Sequence, residues 1–425
     1  MKFIHASDIH LDSPLCGLTR YEGAPVDDVR RATRDALDNL VQLATDEDVD
    51  FILVAGDLYD GDWKDYNTGL YFAKKMTELK TAGIKVFIIA GNHDAESKIT
   101  RKLSLPDNVT ILNTRKPETI YLEELGAAIH GQGYSKQVVT DNLASGYPQA
   151  QPGAFNIGML HTAMTGREGH EPYAPCNIDD LKSKGYDYWA LGHVHRFEVI
   201  NERPWVVCAG NIQGRSVRET GAKGCVLVTV EDDAVKLVEH KELDVLRWVA
   251  IEADASGTVS CEDVIDCVGA AIEEALDENN NLPLALRVRV KGACEAHREL
   301  AANKERWVNE IRSRAIEIGG GRAWVEKVRF ETENRESQEA LIEAGGALGD
   351  LLKGITELQA DDKLLEKIMG EFNELQDKLP TVLLEGDDPV GLDSLDTYRA
   401  AADDSIQLIV DRILSGGGSL EDTES

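Results

Sequence analysis

The 425-residue chain has no CxxC pair among its seven cysteines and no apolar run approaching the ~20 residues that a membrane helix needs. Its 45 Lys and Arg stand against 76 Asp and Glu, too few cations to coat nucleic acid by bulk electrostatics. Cys16, Cys176, Cys208, Cys225, Cys261, Cys267 and Cys294 are odd in number and scattered, so they read as reduced, mostly buried thiols rather than as a disulfide scaffold or a zinc ribbon. The opening MKFIHASD is interrupted by His5 and Asp8 before a signal-peptide core could form, so the chain is expected to be soluble and cytoplasmic. It has no long internal repeat.

The length exceeds one ordinary core and calls for two or three domains, and 42% hydrophobic residues suffice to fill them. The net charge of −31 is unevenly spread. Residues 331–425 hold 24 acidic and 7 basic side chains, a local −17, whereas residues 283–330 hold 11 basic and 6 acidic ones, a local +5. An acidic chain with one basic module can still grip a phosphate backbone.

What the chain does have is a repeated ending. Val86 to Asp94, VFIIAGNHD, reads as a buried strand that delivers an amide, an imidazole and a carboxylate to one point. Lys2 to Ser7 ends in Asp8-Ile9-His10, Phe51 to Ala55 in Gly56-Asp57-Leu58-Tyr59-Asp60, Phe155 to Leu160 in His161, and Tyr188 to Leu191 in Gly192-His193-Val194-His195. Five of the ten histidines sit in these endings; His5, His130, His170, His240 and His297 read as structural or surface residues. Helical segments near Val26 to Thr45 and Asn67 to Ala82 alternate with the strands, an α/β layer pattern. Trp205 to Cys208, Cys225 to Val230 and Val235 to Lys241 suggest an antiparallel sheet finishing the domain.

Trp248 to Ile251 then opens a second, β-α-β-α-β unit. Ser260 and Asp263 form a capping box for a helix to about Glu278. LALRVRVKG after Pro283 alternates apolar residues with Arg287, Arg289 and Lys291, which offer either a DNA-facing stripe or a solvated edge. Further on, Leu341, Leu348, Leu351, Leu352, Ile355 and Leu358, then Leu364, Leu365, Ile368, Phe372 and Leu375, then Ile406, Ile409, Val410 and Ile413 recur at helical spacing, as faces that close on one another or await a partner. The domain division is 1–245, 246–330, a helical acidic region 331–414, and a flexible tail 415–425.

Asp8, His10, Asp57, Asn92, His161, His193 and His195 form an oxygen and nitrogen ligand set without thiolates, suited to manganese, iron or zinc. Asp57, behind a glycine, is the natural bridge between two ions. Two divalent cations against two carboxylates leave roughly +2, a charge that attracts a phosphodiester and stabilises its transition state. His93 sits where a leaving oxygen needs a proton. Asp60 and Asp94 either bond a neighbouring loop or orient a ligand histidine.

DIH, GDLYD, GNHD, GMLH and GHVH resemble the five signature motifs of the calcineurin-like metallophosphoesterases. FIHASDIHLDSPL and Ala209 to Gly224, AGNIQGRSVRETGAKG, most resemble the SbcD-type DNA repair nucleases, in their YhaO-like bacterial branch; this likeness covers residues 1 to about 330. The resemblance implies a four-layer αββα sandwich with a smaller α/β cap domain, and two ions, usually Mn2+, with Mg2+, Fe2+ or Zn2+ as alternatives. It implies that Asp8, His10, Asp57 and His195 hold one ion, that Asp57, Asn92, His161 and His193 hold the other, and that His93 is catalytic. It further implies exonuclease action on duplex DNA and endonuclease action on single strands. The implied partners are an SbcC-like or YhaN-like coiled-coil ATPase engaging the C-terminal helices, and a second copy in a homodimer; no membrane is involved. Arg215, Arg218 and Lys223 are candidate phosphate contacts or ordinary ion pairs. Archaeal and eukaryotic relatives carry a second catalytic histidine where this chain has Asp60, which puts a proton-transfer role for Asp60 in question. Two other functions compete with a DNA nuclease: a small-molecule phosphodiesterase or phosphatase, and a scaffold of the same fold without turnover.

Overall fold

The structure, a computed structural model, describes residues 1–13, 26–60, 66–96, 104–164, 173–334, 342–343, 345–359, 362–376, 378, 394–399 and 401. Within these the chain divides into two compact units. One comprises Met1–Ala250, Glu274–Arg287 and Gly319–Glu326; the other comprises Ile251–Glu273, Val288–Ile318 and the described residues from Lys327 on.

Two six-stranded sheets make the first unit. One runs in the order β12 (Ala234–Glu242), β11 (Gly224–Glu231), β1 (Lys2–Ala6), β2 (Phe51–Ala55), β3 (Lys85–Ile89), β4 (Val109–Ile111). The other runs β5 (Glu118–Leu122), β6 (Ala127–Gly131), β7 (Phe155–His161), β8 (Tyr188–Gly192), β10 (Trp205–Cys208), β9 (Glu198–Glu202). Every residue of β2, β7 and β8 is buried, because both faces of these strands are covered, and their sequences are correspondingly near-continuous apolar runs. Phe3, Phe51, Leu53, Phe87 and Ile89 share one core with Ile129, Ile157, Met159, Ala190 and Val207, which is the layer between the sheets. On the outer face of the first sheet, Ile4, Ile52, Val54 and Ile88 pack on Leu37, Leu40, Phe72, Met76 and Leu79 of α1 (Val26–Asp46) and α2 (Asn67–Thr81). On the outer face of the second, Leu160, Trp189, Leu191 and Val206 pack around Leu181 and Tyr186. The architecture is the expected α/β four-layer sandwich.

The later strands depart from the expected single antiparallel sheet. β11 pairs antiparallel with β1 and β12 in the first sheet, whereas β10 pairs parallel with β8 in the second. The hairpin β9–β10 turns the chain back so that β10 runs alongside β8.

Strands β13 (Arg247–Asp254), β14 (Leu284–Cys294) and β15 (Ala323–Asn334) form a three-stranded sheet in that order, accompanied by helices Cys261–Glu278, His297–Ala302 and Lys304–Gly319. The predicted capping box is present: the Asp263 amide donates to Ser260 Oγ at 3.1 Å and the Ser260 amide donates to Asp263 Oδ2 at 3.0 Å. Leu246, Trp248 and Ala285 share a core cluster with Ala32, and Trp324 packs against it, so the starts of all three strands belong to the first unit.

Helices follow at Gly346–Gln359 and Asp362–Gln376. Leu352 and Leu365 are buried, whereas Leu351, Ile368 and Phe372 are exposed. The expected helical face Ile406 to Ile413 and the tail 415–425 lie outside the described residues. Among the described residues no helix is long and apolar enough to cross a membrane, and the six described cysteines are free thiols, five of them buried.

Leu37 is fully buried and Leu70 is 57% exposed. Truncating Leu37 to alanine should cost about 2–5 kcal/mol through lost contacts and a cavity. Leu70→Ala should stay within about 0.5 kcal/mol. Urea unfolding of both variants checks the layer assignment.

Candidate metal centre

The strands β1, β2 and β3 are mutually parallel neighbours, as are β7 and β8, so within each sheet these strands finish at the same edge. Each carries its polar residues just past its last apolar one. Asp8 and His10 follow β1, Asp57 follows β2, Asn92 and His93 open the short helix α3 (Asn92–Glu96) after β3, His161 ends β7, and His193 and His195 follow β8.

The backbone at these positions is unusual. Asp8, His10, Asp57 and His193 all have positive φ, at 50°, 45°, 50° and 91°. Such conformations are rarely occupied by residues other than glycine and persist where the surroundings over-determine them, which is a mark of functional sites. Two glycines are needed for close approach. A Cβ on Gly56 would meet His161 Nδ1 at 2.3 Å, and one on Gly91 would meet Asp57 Oδ1 at 2.2 Å.

Two clusters share Asp57. In the first, His10 Nε2 and His195 Nε2 face each other at 3.3 Å, His195 Nε2 lies 3.4 Å from Asp8 Oδ1, and His10 Nε2 lies 3.9 Å from Asp57 Oδ2. In the second, His161 Nε2 lies 3.3 Å from Asp57 Oδ2 and 2.9 Å from Asn92 Oδ1, with the His193 ring 5.2 Å from that of His161. Ligands about 2.0–2.2 Å from a common ion are separated by roughly 3–3.5 Å. Most of these pairs have that spacing. Asp8, His10 and His195 form one group whose ligand atoms lie within 4.8 Å of one another; Asp8, Asp57 and His161 form another, and His10, Asp60 and His93 a third.

The outward nitrogens fix the tautomers. His161 Nδ1 lies 2.9 Å from the Ala55 carbonyl, which can only accept, so Nδ1 keeps its proton and Nε2 is the nitrogen that turns its lone pair to the cluster once a cation replaces its proton. His195 Nδ1 likewise donates to Glu219 Oε1 at 2.7 Å. His10 Nδ1 is buried with no hydrogen-bond partner. Two imidazole nitrogens opposed at 3.3 Å beside two buried carboxylates make a donor set that a divalent ion fits in place of the proton between them.

In the metal-free chain a proton stands where a cation would bind. Burial lowers the pKa of His10 to about 4, leaving it neutral. Burial also disfavours charge on His161 and His195, but the adjoining carboxylates outweigh it, Asp57 for the first and Asp8 and Glu219 for the second, and both rise to about 9. Burial alone would push Asp57 up; His161 and His10 beside it win and hold the carboxyl below its usual range.

The remaining expected residues are placed as follows. His93 donates from Nδ1 to Asp60 Oδ1 at 2.7 Å and its side chain is 36% exposed, against 0% for His10 and His161. Asp60 also accepts from Ser13 Oγ and lies 3.5 Å from Arg215. Asp94 accepts the amides of Leu58, Tyr59 and Gly91, so it braces the two loops that carry Asp57 and Asn92 rather than orienting a histidine. Glu219 is a residue that sequence reasoning missed: it stood in the RETG stretch among cations that drew attention instead.

The expected phosphate contacts are largely engaged within the protein. Arg215 pairs with Glu219, and Lys223 Nζ donates to the His195 carbonyl at 2.8 Å. Arg218 is exposed. Arg287 forms a buried fork with Glu326, Arg289 bonds Glu252 and Glu331, and Lys291 bonds Glu252. The alternating cations are therefore not a free stripe, because each faces a carboxylate from a neighbouring strand. The residues read as structural behave so: His5 bonds Tyr188 and the Leu191 carbonyl, His130 bonds Thr119 and Asn156, His240 stacks on Phe197, and His297 bonds Thr332. His170 lies outside the described residues.

Residues 1–197 match the calcineurin-like phosphoesterase family, and residues 248–333 match the middle domain of metallophosphoesterase YhaO. The chain is similar to the uncharacterized metallophosphoesterase YhaO of Bacillus subtilis, 36% identical over 260 residues, which is 60% of this chain and 64% of that one. It is also similar to the DNA double-strand break repair protein Mre11 of Sulfurisphaera tokodaii, 30% identical over 267 residues, 59% of this chain and 65% of that one. In both cases the match spans just under two thirds of the relative's own length. A dimetal phosphatase from Danio rerio is 11% identical, covers 57% of this chain and 97% of its own, and superposes at a TM-score of 0.36, too slight to carry an argument.

A proton on His161 or His195 competes with a cation for the same nitrogen. With both held up to about 9 in the metal-free protein, the apparent affinity for Mn2+ should rise by about one to two powers of ten per pH unit from pH 6.5 to 8.5 and level off above about 9. Calorimetric titration across that range, in buffers of different ionisation enthalpy, checks it; a pH-independent affinity without proton release contradicts it.

Proposed function

Because the chain belongs to the calcineurin-like metallophosphoesterases and continues into a YhaO-type middle domain, we propose that it is a two-metal DNA nuclease acting at DNA ends in repair. It is a metal-dependent phosphoester hydrolase; the DNA substrate is the step beyond. The observation that carries the reading is Asp57 Oδ2 standing between His10 Nε2 at 3.9 Å and His161 Nε2 at 3.3 Å, with His93 beside them, half-exposed and held by Asp60.

Asp8, His10, Asp57 and His195 would hold one ion, and Asp57, Asn92, His161 and His193 the other, a mixed set suited to manganese, iron or zinc. Bound divalent ions supply the positive charge that holds a phosphodiester and the acidity that readies a water for attack. The rest falls to the chain. His93 gives its Nδ1 proton to the Asp60 bond, so Nε2 is the nitrogen that protonates a leaving sugar oxygen. Burial disfavours the charged ring, but Asp60 and Asp57 outweigh it and hold His93 above its ordinary pKa, as an acid requires.

Likeness to Mre11 supports DNA as the substrate, and a coiled-coil ATPase partner and a homodimer fit the exposed Leu351, Ile368 and Phe372. Free buried thiols fit a cytoplasmic setting. A second reading, a small-molecule phosphodiesterase, gains from the carboxylates that occupy Arg289 and Lys291.

The test is digestion of end-labelled duplex and single-stranded DNA by the purified chain with Mn2+, beside bis-p-nitrophenyl phosphate and a chelated control. Metal-dependent shortening of DNA is expected, with His93→Ala about 10²–10⁴-fold slower at unchanged metal content. Cleavage of the small ester with DNA left intact, even with the ATPase added, selects the second reading. A His93→Ala protein as fast as the wild type contradicts both.

A further inference from the structure

Arg215 stands at the centre of a network that the phosphodiesterase reading does not use. Its backbone amide donates to Glu219 Oε2 at 2.8 Å and its Nη2 donates to Glu219 Oε1 at 2.9 Å, while Nη1 lies 3.5 Å from Asp60 Oδ2. Its side chain is 19% exposed, and those of Asp60 and Glu219 are 17% and 13% exposed. Each of the two carboxylates has a second partner in the site. Asp60 binds Nδ1 of His93, the proton donor, and Glu219 binds Nδ1 of His195, in the first cluster. Asn211 Nδ2 donates to Glu219 Oε2 at 2.8 Å and Ser13 Oγ donates to Asp60, so both acids are held from behind as well. A single planar guanidinium thus spans the two acids that orient the two imidazoles.

We propose that Arg215 is the positioning residue that sets His93 and His195 in register, by clamping Asp60 and Glu219 in one fixed arrangement. This rests on the phosphodiesterase reading for the role of His93, but the clamp itself is a property of the metal-free chain. Neither acid alone suffices. Without the guanidinium, the two largely buried carboxylates lose the one group that joins them, and each keeps only its own histidine and a single neutral side-chain donor, Ser13 or Asn211, which leaves it freer to turn. A lysine replaces the guanidinium poorly, because a single nitrogen lacks the planar fork whose separate Nη1 and Nη2 point to Asp60 and to Glu219. A phosphate-binding arginine behaves differently: its loss weakens substrate capture, and lysine restores much of it.

The experiment compares Arg215→Lys and Arg215→Gln with the wild type and with Asp60→Asn, in the full chain. With Mn2+ loaded, hydrolysis of bis-p-nitrophenyl phosphate should show kcat down about 100-fold in both Arg215 variants, the cost of a misplaced group, with KM within about twofold. Arg215→Gln added to Asp60→Asn should cost little more, since both break one unit. Two readouts do not depend on turnover. Mn2+ affinity should drop at least tenfold through His195. In the metal-free protein above about pH 10, where both rings are neutral, nitrogen-15 spectra should show His93 and His195 losing their single Nδ1–H tautomer. Arg215→Lys keeps the buried charge, which guards against a merely unfolded variant. The proposal is overturned by wild-type kcat and Mn2+ affinity in Arg215→Lys, or by a change confined to KM. A wild-type protein that hydrolyses no phosphodiester removes the functional reading, and the affinity and tautomer measurements still decide the clamp.

Discussion

Asp57 is the constraint on which the rest of the site depends. It is buried at the carboxyl end of β2, with its backbone at positive φ, and its Oδ2 faces histidines from two different directions, His10 at 3.9 Å and His161 at 3.3 Å. Its Oδ1 is held by the His93 amide at 2.9 Å, so the carboxylate cannot swing away. A buried carboxylate among buried imidazoles is costly unless every charge has a partner. The surroundings provide that: glycine at position 91 to let Oδ1 in, Asp94 tying the two loops together, and the Ala55 carbonyl turning His161 so that its lone pair points inward.

The fold serves this one carboxylate by bringing two sheets together. β1, β2 and β3 deliver Asp8, His10, Asp57, Asn92 and His93, and β7 and β8 deliver His161, His193 and His195. The hydrogen bond from His161 in the second sheet to the last residue of β2 in the first crosses the layer between them. The apolar packing of Phe51, Leu53 and Phe87 against Ile157, Met159 and Ala190 therefore sets the distance between the two clusters as well as the stability of the core.

Much of this was legible in the sequence, for a physical reason. A strand covered on both faces is an unbroken run such as Phe51 to Ala55, and a charged or imidazole side chain directly after it has few explanations besides a site. What was not legible is what depends on contacts distant in sequence. Glu219 reaches His195, and Arg215 reaches Asp60 across 155 positions, through a loop with no periodicity to read. The alternation of Arg287, Arg289 and Lys291 gave the face but not the partners, because Glu252, Glu326 and Glu331 lie on neighbouring strands. Strand order failed similarly: apolar pattern marks β10 as buried without saying that it runs parallel to β8.

Metal stoichiometry tests the shared carboxylate most directly. Mass-spectrometric metal content after Mn2+ loading and gel filtration should give two ions per wild-type chain. Asp57→Asn should lose both, since it serves both clusters, whereas His10→Ala should lose only the ion of its own cluster. An Asp57→Asn protein that keeps one full equivalent, or a wild type that never exceeds one, would contradict a centre built around a bridging Asp57.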